Sequence, residues 1–364
     1  MKKILVIILS LILVSTLLAG CGASDEGKVA SDEGKVASDE GEVASDEGEA
    51  KSITVGYFKA AADDYYKAGW DVFNALAVKE GWEVYEIMGD GTDAKMLAAI
   101  EDFITQKVDA IVCVQTTSAS GAEVAKKAKE ADIPFFSLTH QPDAIAGFEP
   151  TGASCYDWIQ TGIYAGDSAL EYGAEKIIMI EGVQGQGTAA GQTIGFLQSY
   201  EDAGQAVEVV FTGYGNWFAQ GALKAMDEAL AAVGPDGFDG VYVHNDEMLD
   251  GVLQAIENAG LDSSNYWMGS SNGKEKSWVW VADGKVTMDV NQTASLEADL
   301  VFQMIQAEFA GTEYKHYVYS MLKPFTKDNM DNLVPYGLDA YMKGREEGAF
   351  TYELKDPVFE EWSF

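Results

Sequence analysis

Residues 92–138, TDAKMLAAIEDFITQKVDAIVCVQTTSASGAEVAKKAKEADIPFFSL, carry the pattern that decides the fold. From Thr92 to Gln106 the apolar residues Met96, Leu97, Ile100, Phe103 and Ile104 fall on one helical stripe, and Thr92 and Asp93 are suited to cap its start. Ala110–Val114 is a short, unbroken apolar run, as expected of a strand buried on both faces. A second helix is expected over about Ala122–Ala131 and a second strand over Pro134–Leu138. Two such strands joined through a helix form a βαβ unit, and its crossover is right-handed.

The alternation continues in both directions. Upstream, strands are expected at Ile53–Tyr57 and Glu83–Ile87, with a helix from about Tyr65 to Glu80. Downstream, after a helix at Asp157–Leu170, strands at Lys176–Ile180, Val207–Phe211, Gly240–Val243 and Tyr266–Gly269 alternate with helices at Ala190–Tyr200, Ala219–Ala232, Met248–Ala259 and Lys274–Ala282. Roughly 310 residues exceed what one core comfortably holds. The reading is an α/β chain of two doubly wound parallel-sheet lobes with a hinge and an interlobe cleft, divided near residues 150–154.

The N-terminus points outside the cytoplasm. Two lysines precede an apolar run, Ile4–Val14, which ends in Leu17-Leu18-Ala19-Gly20-Cys21. A basic start and a short apolar stretch read as an export signal, and the Cys21 ending resembles the bacterial lipoprotein signal. That resemblance implies a lipid on Cys21 and residence on the outer face of the cell membrane. Residues 22–51 repeat ASDEGKV-like units of seven. One small apolar stripe, a mid-unit glycine and dense acid favour a solvated tether over a coiled coil. The net charge of −35 argues against nucleic acid as a partner. Cys113 and Cys155 are left; Cys113 reads as a buried thiol, with pairing open.

Ligands in doubly wound folds bind beyond the C-terminal ends of the strands. Five loops stand there: 59–66, 139–142, 182–190, 213–217 and 244–248. The first holds Asp63-Asp64-Tyr65-Tyr66, where acid suits a helix start and paired rings offer stacking faces with polar handles. Trp217 could supply an opposing ring, or pack between helix and sheet. Thr139 and His140 follow one strand, and His244-Asn245-Asp246 another; Asn245 has both amide functions to offer. Gln186 and Gln192 extend from a glycine-rich loop whose spacing departs from a dinucleotide fingerprint. No G-x-S-x-G, H-E-x-x-H or Walker sequence occurs. Capture of a small-molecule ligand by a non-enzyme, without cofactor or metal, is the expected function.

These features, with Gln115-Thr116-Thr117 after a strand, Ala131-Asp132-Ile133-Pro134 and His244-Asn245-Asp246-Glu247-Met248, resemble the type I, sugar-type substrate-binding proteins of ABC importers, the ribose- and galactose-binding group. The resemblance covers about residues 52–330. It implies stacking by Tyr65, Tyr66 and Trp217, and contacts from Thr139, His140, Asn245, Ser271 and Asn291, with Asp64, Gln186 and Gln192 nearby. It further implies crossovers near 150–154, Val290 and 320–330. The lobes are then 52–153 plus 291–322 and 154–290 plus 323–364. The partner is an ABC permease and the chain a monomer. Arginine is absent from 182–196, and neutral residues stand where the family places an Asp-Arg pair and an aspartate. A less usual sugar or sugar derivative is expected, with a nucleoside or other heterocycle, a sensory role, or a sugar-processing enzyme as alternatives.

Overall fold

The computed structural model describes residues 52–140, 149–331 and 333–356; the export signal, Cys21, the acidic repeats and the aromatic end of the chain lie outside them. In chain order come β1 (Thr54–Lys59), α1 (Asp64–Lys79), β2 (Glu83–Met88), α2 (Asp93–Gln106), β3 (Ala110–Cys113), α3 (Ser118–Glu130), β4 (Phe135–Leu138) and β5 (Gly152–Tyr156). They are followed by α4 (Trp158–Tyr172), β6 (Lys176–Glu181), α5 (Gly187–Asp202), β7 (Glu208–Tyr214), α6 (Ala219–Val233), β8 (Gly240–Val243) and α7 (Asp246–Asn258). The rest are β9 (Trp267–Asn272), α8 (Glu275–Ala282), β10 (Met288–Asn291), α9 (Ala294–Ala310), β11 (Tyr317–Met321), β12 (Pro324–Phe325), α10 (Leu338–Glu347) and β13 (Glu353–Lys355).

Two sheets result, ordered β13-β11-β5-β4-β3-β1-β2 and β12-β10-β9-β8-β6-β7. Each is parallel except for one short antiparallel edge strand, β13 on β11 and β12 on β10. Central strands β3 and β8 are buried along their whole length, which is why they read as plain apolar runs. One core packs Val55, Tyr57, Val72 and Phe73 with Val301 and Ile305; the other packs Ile178, Ile180 and Val241 with Met226 and Val252. Among the described residues no helix is long and apolar enough to cross a membrane.

Side-chain caps move several boundaries from their expected places. Thr117 and Ser120 form a reciprocal capping box that starts α3 at Ser118, earlier than the apolar pattern suggests. The first chain crossing follows β5, which stays in the first sheet through Tyr156, and Asp157 then caps α4 by accepting from the Gln160 amide. The later crossings fall between β10 and α9 and between β11 and β12.

The segment from residue 323, expected in the second lobe, divides. Among its described residues only β12 joins the second sheet; α10 and β13 return to the first. The physical reason is Asp299 of α9, a buried acid that accepts from Tyr341 Oη (3.0 Å) and Arg345 Nε (2.6 Å) of α10. Cys113 and Cys155 are both buried free thiols.

Candidate functional site

The loops at the C-terminal ends of the strands meet around a cleft enclosing roughly 550 Å³ of empty space, its open mouth included. On the first lobe, Asp63 caps α1 by accepting from the Tyr66 amide (2.8 Å), which sets Tyr65 and Tyr66 in the first turn, both lining the cleft. Their rings meet edge to face at 5.7 Å. Burial pushes the Asp63 carboxyl up to about 6 against the pull of that capping bond.

Thr139, just past β4, holds a left-handed backbone (φ 65°), which is costly for a β-branched residue and so points to a functional constraint. Its carbonyl accepts from Trp158 Nε1 (3.3 Å), and its hydroxyl donates to Glu297 Oε2 (2.9 Å). Tyr65 Oη donates to the same carboxylate oxygen (2.8 Å). Glu297, in the first turn of α9, is wholly buried, and its Oε1 has no partner among the described residues. Burial outweighs the two donated bonds and raises this carboxyl to about 8. His140 is lowered to about 4 by the same cost of burying charge, so it is neutral at pH 7.

On the second lobe, Asn216 and Trp217 are consecutive left-handed residues (φ 54° and 70°) that turn the indole into the cleft. The ring lies on the backbone of Gly182, where an added Cβ would stand 2.1 Å from Trp217 Cζ2. Trp217 Nε1 donates to Gln186 Oε1 (2.6 Å), and Gln186 Nε2 donates across to the Thr116 carbonyl of the first lobe (3.0 Å). A second link joins the lobes: Lys274 stands 3.0 Å from Glu247 and 3.6 Å from Asp64. Asn245 caps α7 through Met248 N (2.9 Å) and lines the cleft beside His244. Burial lowers His244 to about 3. Its Nδ1 and the Thr188 hydroxyl are buried in the lining with no partner among the described residues. Unpaired buried polar atoms are costly, so such groups in a cavity wall mark where a ligand would bond.

Of the residues expected from sequence, Tyr65, Tyr66, Thr139, His140, Gln192, Trp217 and Asn245 line this one cleft. Gln192 does so with its amide committed, donating to the His244 carbonyl (3.1 Å) and accepting from Tyr242 Oη (2.9 Å). Four others lie outside the lining. Asp64 is one residue beyond Asp63 and faces Lys274. Gln186 bridges the lobes behind Trp217. Ser271 points into the sheet interior, donating to the His244 carbonyl (2.8 Å), while its neighbour Asn272 reaches the cleft, because successive strand residues face opposite ways. Asn291 bonds the backbone of Gly273 and Val334 with both amide functions. Trp158, Thr188 and Asn272 were missed by sequence reasoning; the Asn272-Gly273 pair at a strand end was an available signal. Among the described residues no cluster of His, Cys, Asp and Glu could hold a metal ion.

With this geometry in hand, the similarity to known proteins is informative. The family model described as periplasmic binding protein domain matches residues 57–313. The galactofuranose-binding protein YtfQ of Escherichia coli strain K12 is 24% identical over 253 residues, 68% of this chain and 79% of that protein. The ribose import binding protein RbsB of Bacillus subtilis strain 168 is 23% identical over 253 residues, 68% of this chain and 78% of its own. Among solved structures, the binding protein of the arabinose ABC transporter from Shewanella sp. ANA-3, bound to L-arabinofuranose, superposes with a TM-score of 0.71 at 23% identity, covering 82% of this chain and 97% of the other. The fold, the strand-end cleft and the family match agree: the chain belongs to the periplasmic binding protein domain family, as an extracytoplasmic solute-binding protein of the type I group that serves ABC importers, and not as an enzyme.

Proposed function

We propose that the cleft captures an uncharged monosaccharide in its furanose form and that the closed, loaded protein hands it to an ABC permease. The observation that carries this reading is the convergence of rings from both lobes, Tyr65 and Tyr66 against Trp217, on one cavity whose wall holds the unpaired Thr188 hydroxyl and His244 Nδ1. Ring faces receive the C–H surface of a sugar, and the unpaired atoms receive its hydroxyls. His140 and His244 are neutral, no arginine lines the cavity among the described residues, and the lysine in its lining, Lys274, is paired with Glu247, which disfavours sugar acids and phosphates. A relative and a solved structure named for galactofuranose, and structures bound to arabinofuranose and fucofuranose, support the furanose assignment.

Closure follows from contacts on both lobes, since only a ligand with higher affinity for the closed form shifts the population toward it. In this reading Cys21 carries the lipid, the acidic repeats supply reach from the membrane, and the protein works as a monomer.

A thermal-shift screen over furanose-forming sugars, pyranoses, sugar acids and nucleosides tests the assignment. A ligand at a hundred times its Kd adds about 2.7 kcal/mol, enough to raise the melting temperature by several degrees. Shifts confined to neutral sugars are expected; a shift with nucleosides or sugar acids alone would overturn it.

A further inference from the structure

We propose that Glu297 determines which ligands the first lobe accepts, by committing the hydroxyl protons of Tyr65 and Thr139 so that this wall offers hydrogen-bond acceptors only. The inference rests on the sugar reading above and deepens it. Each hydroxyl has one proton and two lone pairs. Tyr65 Oη and Thr139 Oγ1 both donate to Glu297 Oε2, at 2.8 and 2.9 Å. Both residues line the cleft. With their protons turned inward, only lone pairs are left for the ligand.

The commitment is enforced from several sides. Glu297 is wholly buried and cannot turn to solvent. The backbone of Thr139 is held in its left-handed turn while its carbonyl accepts from Trp158 Nε1. The Tyr65 ring is held edge to face between Tyr66 and Tyr336. Oε2 accepts from both hydroxyls whether or not the other oxygen carries a proton, so the polarity of the wall does not depend on pH. The wall therefore selects a polyol edge with a donor at each of two neighbouring positions. It rejects a carbonyl, an ether or a carboxylate there, because each would set acceptor against acceptor in a buried place.

Fluorine-substituted sugars test this, since fluorine replaces a hydroxyl in size but cannot donate. The probes are the sugar giving the largest thermal shift and its set of single deoxyfluoro analogues, measured by isothermal titration calorimetry against wild type, Glu297→Gln and Tyr65→Phe. In wild type, fluorine at the positions facing the first lobe should weaken binding about tenfold or more. In Glu297→Gln the side-chain NH2 can donate to one of the two hydroxyls and free its proton for the ligand, so the fluorine penalty at that position should fall severalfold. In Tyr65→Phe the acceptor is gone and the penalty at its position should disappear, which decides the matter if the glutamine variant does not fold. A general loss of packing would weaken parent and analogue alike and leave their ratio unchanged. A wild type that shows no fluorine penalty, or variants that retain the wild-type penalty, would overturn this inference while leaving sugar capture intact; failure of every polyol to bind would overturn both.

Discussion

Replacing Glu297 with Gln should change how stability depends on pH, and by an amount the structure sets. Folding buries this carboxyl wholly and raises it from 4.5 to about 8, although Tyr65 and Thr139 donate to it. Among the described residues, Tyr57, Tyr65, Tyr66, Tyr156, Tyr336 and Cys155 feel its charge, and none of these is a cation. A carboxyl whose proton is held more tightly in the folded state contributes stability that is complete below pH 4.5. That contribution is lost as pH rises through 8. At about 1.4 kcal/mol per unit, the loss between pH 5 and pH 9 is on the order of 4 kcal/mol. Glutamine cannot ionise, whichever way its amide is turned toward the two hydroxyls. Urea denaturation of both proteins at pH 5, 7 and 9 should show the variant gaining on wild type by several kcal/mol toward alkaline pH. The other shifted groups, Asp63, His140 and His244 among them, are common to both proteins and largely cancel in the difference. Parallel pH profiles would refute the buried, proton-holding state of Glu297.

Two further substitutions probe the second lobe. Gly182→Ala places a methyl 2.1 Å from the Trp217 ring, so the indole has to leave its seat; sugar affinity should drop at least tenfold, with a stability cost of about 1–3 kcal/mol measured by denaturation. Gln186→Leu removes both the bridge to the Thr116 carbonyl and the acceptor for Trp217 Nε1; calorimetry should show affinity about two- to tenfold weaker, and an unchanged Kd would show that closure does not use this bridge.

The alternation of elements was legible because strands buried on both faces leave unmistakable apolar runs, as in Ala110–Cys113 and Gly240–Val243. The loops of the cleft were legible for a related reason: parallel strands send all their C-terminal ends to one side. Side-chain detail was less so. Ser271 and Asn272 differ by one position, and the pleat alone decides which of them faces the cleft. Asn291 sits beside the hinge, but Val334, 43 residues away, claims its amide. Glu297 and Asp299 sit in a helix that otherwise reads as plain core, SLEADLVF, and nothing local announces that one takes two hydroxyls of the cleft and the other draws α10 back to the first lobe. Asn291, Glu297 and Asp299 each depend on a partner distant in sequence, which local pattern does not encode.

Isothermal titration of Trp217→Ala with the best-binding sugar tests the central claim most directly. Trp217 is the second-lobe ring of a cleft whose other rings come from the first lobe. Loss of a central aromatic contact costs about 2 kcal/mol or more, so affinity should fall at least thirtyfold while the protein still unfolds cooperatively in urea. Wild-type affinity in this variant would contradict the account.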